Sequence, residues 1–308
     1  MKLSLRLVAV AIVFLSLTSC EKFEDPSWRT EIEASTMLDV AYGSDPKHKM
    51  DVYLPPNRTT NSGIIILVHG GSFIGGDKRE LETQARYLAI SGYAVLNINY
   101  RLVNSNGIYN NPRQRITSGV KVSDQVADVA LAVNYALAHA KEWVVSSKRV
   151  AMVGHSAGAT LSLLYAYNDV NNNKVKAVAN LAGALDLVFT NVDNWESYPQ
   201  YLFEAGLRFT GQEVSLESEV AYKNISPLYV ANARKKIPTI NVFPQNNDVA
   251  GLPKQDIRTF SAFTEKLNTF EIPNEFVYVA GADHVFSKRE DWILILEKSL
   301  SFFSKNMD

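Results

Sequence analysis

The 308-residue chain contains a single cysteine, Cys20, and has no surplus of charge, because 31 lysines and arginines stand against 32 aspartates and glutamates. One cysteine excludes an intrachain disulfide and provides too few thiolates for a zinc or iron–sulfur site built on cysteine. The chain also lacks the basic excess typical of nucleic-acid-binding domains, so we expect no nucleic-acid partner. With 46% hydrophobic and 20% charged residues, the composition predicts one large globular domain.

The first 20 residues have the pattern of an export signal. Lys2 and Arg6 precede an apolar run at 7–17, which has the length of a signal peptide and is short for a membrane span. Residues 17–20 (LTSC) resemble the bacterial lipobox, in which the signal is cleaved before a cysteine that then carries a lipid. We therefore expect lipidation at Cys20 and a lipid-anchored protein of the bacterial cell envelope, with an ordinary signal peptide as the alternative.

The domain organisation follows from this reading. Residues 1–19 form the predicted signal peptide, the polar residues 20–35 a tether, and residues 36–308 the folded domain. Within that domain, the stretch at 103–119 and a small insertion near 188–226 do not fit the regular pattern of the remaining chain. We expect both to extend over one end of the sheet and to contact substrate, because such loops usually carry selectivity.

Short apolar runs alternate with longer amphipathic ones, which predicts an α/β fold with a mostly parallel central sheet of about eight strands and helices on both faces. The first two strands are expected to pair antiparallel. The predicted strands lie near 37–41, 50–54, 64–68, 94–99, 149–153, 177–181, 239–243 and 276–279, and the predicted helices near 79–91, 121–142, 157–168, 195–208, 255–270 and 288–304.

Residues 154–158 (GHSAG) follow a predicted strand and precede a predicted helix. A strand that turns sharply into a helix holds its central residue in a strained conformation, and glycines on both sides let the neighbouring backbone pass. The pattern therefore predicts that Ser156 is a nucleophile exposed at the carboxyl end of the sheet. The alternative is a plain glycine-rich turn.

A serine hydroxyl needs a base within hydrogen-bond reach. Of the five histidines, His155 is expected to point away from Ser156, and three others lie in a hairpin, on a helix and at a strand end. His284, just after the last predicted strand, remains as the predicted base.

The base needs an orienting acid, and enzymes with a nucleophile on such a turn place it between the serine and the histidine in the chain. Asp248 follows the predicted strand 239–243 and is the predicted acid. Asp256 is the rival, although an N-cap role explains it. Asp283, adjacent to His284, would have difficulty turning back onto its ring.

Residues 69–73 (HGGSF) follow the strand at 64–68 and predict a loop whose N–H groups point at a ligand. We expect the N–H groups of Gly71, Ser72 and Ala157 to form an oxyanion hole that stabilises the charge growing on an attacked carbonyl oxygen. His69 is expected to brace this loop. The alternative is that the glycines only make a turn.

Several separated motifs together resemble one family. They are MDVYLP at 50–55, HGGSF at 69–73, GDK at 76–78, NYRL at 99–102, GHSAG at 154–158 and DL at 186–187. In these motifs the chain is similar to α/β-hydrolases of the hormone-sensitive-lipase-like esterase group, near the branch of bacterial feruloyl and acetylxylan esterases. The resemblance implies an α/β-hydrolase fold and no metal or organic cofactor. Asp128 and Asp186 match family positions, and we expect them to hold structure because nothing in their spacing gives them a role in proton transfer.

The function expected from these observations is that of a serine esterase with Ser156, His284 and Asp248 as its triad, acting outside the cytoplasm. The resemblance implies short acyl or feruloyl esters of polysaccharides as substrates, so the expected partners are a glycan or small-molecule ester and a membrane reached through Cys20. One alternative is an amide-cleaving peptidase or formamidase with the same triad. The other is a non-catalytic binding module on a hydrolase scaffold.

Overall fold

The computed structural model describes residues 32–247 and 256–307. Cys20, with the predicted signal peptide and most of the tether, lies outside the described residues, as does Asp248. No helix within the described ranges is long and apolar enough to cross a membrane.

The core of the fold is an eight-stranded sheet in the order β1-β2-β4-β3-β5-β6-β7-β8. β1 and β2 pair antiparallel, β2 pairs antiparallel with β4, and all other neighbours are parallel. The strands are β1 (Ser35–Ala41), β2 (Lys49–Leu54), β3 (Ile64–Val68), β4 (Ala94–Ile98), β5 (Val150–His155), β6 (Ala177–Leu181), β7 (Thr239–Asn246) and β8 (Asn274–Asp283). The predicted strands and the mostly parallel arrangement are confirmed.

Eight α-helices are described within the covered ranges. They are α1 (Glu82–Ile90), α2 (Val122–His139), α3 (Ala157–Ala166), α4 (Gln200–Thr210), α5 (Glu219–Lys223), α6 (Pro227–Val230), α7 (Ile257–Thr269) and α8 (Arg289–Asn306). Short 3-10 helices cover Lys78–Leu81, Asp169–Asn171, Phe189–Asn191, Trp195–Ser197 and Leu216–Ser218. The sequence did not predict α5 and α6, because one turn of helix is too short to show a periodic apolar face.

The sheet separates two hydrophobic clusters. In β3, Ile64 and Ile66 face the cluster that includes α2, α3 and α7, whereas Ile65 and Leu67 face the cluster beneath α1 and α8. This alternation follows from the two-residue period of a strand. Because both faces of β3 are apolar and both are covered, the predicted helices on both faces of the sheet are confirmed.

Candidate active site

The predicted nucleophile lies on a strained turn between β5 and α3. Ser156 has φ 53° and ψ −123°, a combination that costs energy for any residue with a side chain. Flanking glycines make the turn possible: a Cβ at Gly154 would lie 2.4 Å from the carbonyl oxygen of Gly158, and one at Gly158 only 2.2 Å from that of Val68. The backbone geometry is therefore that of a nucleophile elbow rather than of a plain turn.

Ser156 and His284 meet although they are 128 residues apart in the chain. His284 follows the last residue of β8, and its Nε2 lies 2.9 Å from the Oγ of Ser156. Both side chains are half-buried. The structure thus brings together the predicted nucleophile and the predicted base.

The other ring nitrogen of His284 contacts an amide. Nδ1 lies 2.6 Å from the Oδ1 of Asn247, the residue that follows β7. Because an amide oxygen only accepts hydrogen bonds, Nδ1 carries the proton and Nε2 is left to accept one from Ser156. Asp248, the predicted acid, lies outside the described residues, so its role stays a prediction.

The two rival carboxylates are engaged elsewhere. Asp256 caps the N-terminus of α7, where its side chain accepts a hydrogen bond from the N–H of Thr259. Asp283 accepts hydrogen bonds from the N–H and the hydroxyl of Ser287. Neither contact is with His284, which agrees with the expectations from the sequence.

His155 holds the backbone of the predicted base. Its Nε2 donates to the carbonyl oxygen of His284 at 2.9 Å, and the two rings lie 5.3 Å apart. Burial lowers the pKa of His155, so this histidine is neutral at neutral pH. This contact could not be predicted, because adjacency to Ser156 alone does not show which way a side chain turns.

The environment of His284 keeps its ring unprotonated. Burial, helped by the nearby His155, lowers the pKa of His284 to about 4, although Asp283 opposes the shift. A ring with this pKa is almost entirely neutral at pH 7, which is the state that a general base needs.

The loop predicted to form the oxyanion hole lies directly against the nucleophile, since a Cβ at Gly70 would sit 3.0 Å from the Cβ of Ser156. Gly71 and Ser72 have φ of 108° and 52°, which turns the loop so that their N–H groups have no acceptor among the described residues. Ala157 opens α3, and the first N–H groups of a helix have no partner within it. These observations are consistent with the predicted oxyanion donors, the N–H groups of Gly71, Ser72 and Ala157.

His69 braces this loop, as expected. Its Nδ1 donates to the carbonyl oxygen of Gly70 at 2.7 Å, and its ring stacks on Tyr100 with centroids 4.4 Å apart. The hydroxyl of Tyr100 donates in turn to the carbonyl oxygen of His69 at 2.9 Å. Burial lowers the pKa of His69 to about 4, so the brace consists of neutral groups.

A buried ion pair ties the two irregular segments together. Glu204 and Arg208, both on α4 in the insertion, are fully buried and lie 2.8 Å apart. Glu204 also accepts from the N–H groups of Arg115 and Ile116 at 3.0 and 2.9 Å, and Arg208 donates to the carbonyl oxygen of Asn104 at 2.7 Å. The stretch at 103–119 is therefore fixed to the insertion through α4.

The contact between Phe73 and Phe209 connects α4 with the oxyanion loop. The two rings meet edge to face with centroids 5.1 Å apart. Phe73 directly follows Ser72, so the insertion packs against the segment predicted to carry the oxyanion donors.

Asp128 and Asp186 hold structure. Asp128 is fully buried and accepts from the backbone N–H and the guanidinium of Arg101, at 2.9 and 2.6 Å. Asp186 accepts from the N–H of Val188 at 2.9 Å. These contacts fit the structural roles expected for both residues.

The comparison with curated proteins gives distant relatives. A probable isoprenylcysteine alpha-carbonyl methylesterase of Arabidopsis thaliana is 24% identical over 262 residues, which cover 80% of this chain and 56% of that protein. The chain spans about half the length of the first curated relatives that it matches.

The similar solved structures share the fold. A truncated carbohydrate esterase from gut microbiota has a TM-score of 0.67 at 17% identity, covering 88% of this chain and 96% of that one. A bifunctional GH43-CE protein of Bacteroides eggerthii has a TM-score of 0.68 at 21% identity, covering 88% of this chain and 38% of that one.

The comparison with protein families is more specific, because the BD-FAE model matches residues 50–250. The match runs from β2 through the oxyanion loop and the nucleophile elbow to the residues just after β7. It covers more than half of the chain, and the chain therefore belongs to the BD-FAE family of esterases with the α/β-hydrolase fold.

Proposed function

We propose that this protein is a serine hydrolase of carboxylic esters in which Ser156 is the nucleophile and His284 the general base. The observation that carries the proposal is the 2.9 Å contact between the Oγ of Ser156 and the Nε2 of His284, made by a serine on a strained elbow. A hydroxyl hydrogen-bonded to an unprotonated imidazole is the arrangement that activates a serine for attack.

In the first half-reaction, the Oγ of Ser156 attacks the acyl carbon while Nε2 of His284 takes the hydroxyl proton. The N–H groups of Gly71, Ser72 and Ala157 stabilise the negative charge on the former carbonyl oxygen. Nε2 then gives its proton to the leaving alcohol, and the acyl group stays on Ser156 as an ester.

In the second half-reaction, Nε2 deprotonates a water molecule that attacks the acyl-enzyme. The tetrahedral intermediate uses the same N–H donors, and it collapses to a carboxylic acid as Ser156 regains its proton from His284. The residue that orients His284 comes from the segment after β7, where the sequence predicts Asp248.

We propose short acyl or feruloyl esters of polysaccharides as substrates. The resemblance to the hormone-sensitive-lipase-like esterase group, near its feruloyl and acetylxylan esterase branch, supports this class, and one similar structure is described as a carbohydrate esterase. The stretch at 103–119 and the insertion, held together by Glu204, are the segments proposed to contact the glycan.

The proposed location is the bacterial cell envelope, with a lipid on Cys20. The lipobox-like residues 17–20 at the end of an apolar run support it. The test is the intact mass of the protein purified from its native host: a lipid on a chain that begins at Cys20 supports anchoring, and an unmodified thiol refutes it.

Labelling with a fluorophosphonate probe tests the enzymatic proposal. Wild type and the control Ser261→Ala, which alters an exposed serine on α7, should react with the probe. Ser156→Ala should not react, although its circular dichroism should match that of wild type. Failure of the folded wild type to react would support a non-catalytic binding module.

A release assay then tests the substrate class. Acetylated and feruloylated glycans, aryl esters of graded chain length and the corresponding anilides are compared at equal concentration. The proposal expects kcat/KM to be higher for a glycan ester than for any anilide, whereas faster cleavage of the anilides would assign the enzyme to amide hydrolysis.

A further inference from the structure

We propose that Asn247, a neutral amide, is the positioning residue that orients His284, so that the relay in this protein is serine, histidine and asparagine. The inference rests on the proposed function in one respect, which is that Ser156 and His284 are the reacting pair. It differs from the Ser-His-Asp triad that the sequence predicts.

Strand register places Asn247 beside His284. β7 and β8 are parallel neighbours whose pairing register shifts between Pro244 and Asn246, and beyond this shift Asn246 at the end of β7 is paired with Asp283 at the end of β8. Asn247 and His284 are the next residues on the two strands, so they leave the sheet side by side. Their contact therefore follows from the sheet itself rather than from a long loop.

The side chain of Asn247 turns inward at the end of a strand whose last residues face solvent. Gln245 and Asn246 are exposed, whereas Asn247 is only 7% exposed. The Oε1 of Gln245 accepts from the N–H of Gly281 at 2.8 Å, which links the ends of β7 and β8. The hydrogen bond between the two strand ends therefore holds the backbone that places Asn247 next to Nδ1 of His284.

The amide oxygen of Asn247 can orient the ring of His284 as a carboxylate would, but it carries no charge. By accepting from Nδ1 it fixes the tautomer and the plane of the ring, which leaves Nε2 free to accept the proton of Ser156. It carries no negative charge, so it stabilises the imidazolium less than an aspartate would. A relay of Ser156, His284 and Asn247 therefore orients the imidazole ring without placing a negative charge beside it.

Among the described residues, no carboxylate is hydrogen-bonded to the ring of His284, although the charge of Asp283 partly opposes the lowering of its pKa. His155 lies on the β5 side and donates to the backbone carbonyl of His284. Asp283 precedes His284 and is turned to Ser287. Asp248 lies outside the described residues and is compared directly in the experiment.

Four variants separate these roles. Asn247→Ala removes the acceptor, and Asn247→Asp keeps it and adds a charge. Asp248→Asn removes the carboxylate that the sequence predicts as the acid. Asn246→Ala is the matched control, because it removes an exposed amide one residue earlier in the chain.

The first measurement is an NMR titration of the histidine ring signals in each folded variant, with His284→Gln used to assign the signal of His284. Asn247→Asp should move the titration midpoint of His284 upward by about one to three pH units, because a negative charge next to Nδ1 favours the imidazolium. Asn246→Ala should leave it in place. A midpoint that Asn247→Asp does not move overturns the proposal.

The second measurement is kcat/KM on an aryl ester as a function of pH. Asn247→Ala should lose about 10- to 100-fold, the cost of a misoriented catalytic group. Asn247→Asp should restore activity at neutral pH and move the acid limb by the shift seen in the titration. A larger loss in Asp248→Asn than in Asn247→Ala overturns the proposal and returns the role to Asp248.

The two measurements distinguish failure of the proposed function from failure of the inference about Asn247. If the wild type neither hydrolyses esters nor reacts with the fluorophosphonate, the proposed function fails, and the titration of His284 still decides the role of Asn247. If the wild type is active and Asn247→Asp does not alter the titration, only the inference about Asn247 fails.

Discussion

Activity in mildly acidic solution is the most direct consequence of the environment of His284. Burial lowers the pKa of this ring to about 4, compared with about 6.5 for an ordinary histidine. A general base is lost as the pH falls through its pKa in the folded enzyme. The acid limb of kcat/KM, which reports the free enzyme, should therefore lie near pH 4 rather than near 6.5.

The size of the effect is large enough to measure. At pH 5, a histidine with a pKa of 4 is about 90% neutral, whereas one with an ordinary pKa is only about 3% neutral. The wild type should therefore keep most of its kcat/KM at pH 5, about 30-fold more than an ordinary histidine would allow.

The assay must separate protonation of the base from unfolding. His69 also has its pKa lowered by burial, so the unfolded chain binds protons on these histidines below about pH 6.5 while the native state does not. Stability therefore falls as the pH decreases from that value toward 4. Circular dichroism at each pH identifies the range in which the protein is folded and the rates can be interpreted.

The decisive comparison is made within that folded range. Hydrolysis of an aryl ester is followed by chromatography of the released acid, because this detection does not depend on pH. An acid limb with its midpoint near 6.5 in folded protein would refute the argument from burial and would indicate a carboxylate close to His284.

Three further substitutions test the scaffold around the site. Glu204→Ala leaves Arg208 buried without its partner and should lower the free energy of unfolding by about 3–5 kcal/mol; a thermal or denaturant midpoint close to that of wild type would contradict this. Gly158→Ala places a Cβ 2.2 Å from the carbonyl oxygen of Val68, so little folded protein is expected by gel filtration, and a folded, active variant would disprove the packing argument. Asp256→Ala removes the cap of α7 and should cost about 1 kcal/mol in urea unfolding, with kcat unchanged, whereas a large fall in kcat would give Asp256 a role at the site.

The parallel sheet could be predicted because each strand is a short apolar run between polar or glycine-rich turns. Ile64–Val68 and Ala177–Leu181 agree with the prediction at both ends, since buried strands contrast sharply with their surroundings. The ends of β7 and β8 were missed: the prediction stops them at 243 and 279, whereas they continue to Asn246 and Asp283. Residues 244–246 (PQN) are poor strand formers, and the neighbouring strand overrides that preference.

The parts of the site that local backbone determines could be predicted from the sequence, and so could His284, by elimination among the five histidines. The elbow at Ser156 follows from the glycines on either side, and the loop at Gly71 follows from its own glycine pair. The insertion was recognised as irregular, but its attachment through Glu204 was not, because a contact between residues distant in the chain leaves no periodic signal. The contact of His155 with His284 was missed for the same reason.

The choice of orienting residue depends on the strand ends that the sequence misjudges. If β7 ended at 243, a loop of several residues could bring Asp248 to His284. A charged residue would then be the best choice for the residue that orients His284. Since β7 continues beyond a register shift to Asn246, which pairs with Asp283, the next residue on each strand is fixed, and this pairing selects Asn247. His155, which holds the backbone of His284, is neutral as well, so the hydrogen bonds that the described residues make to His284 all come from neutral groups. Because the imidazole is only weakly basic, the proposed N–H donors around Gly71 and Ala157 must contribute more to lowering the activation barrier of ester cleavage.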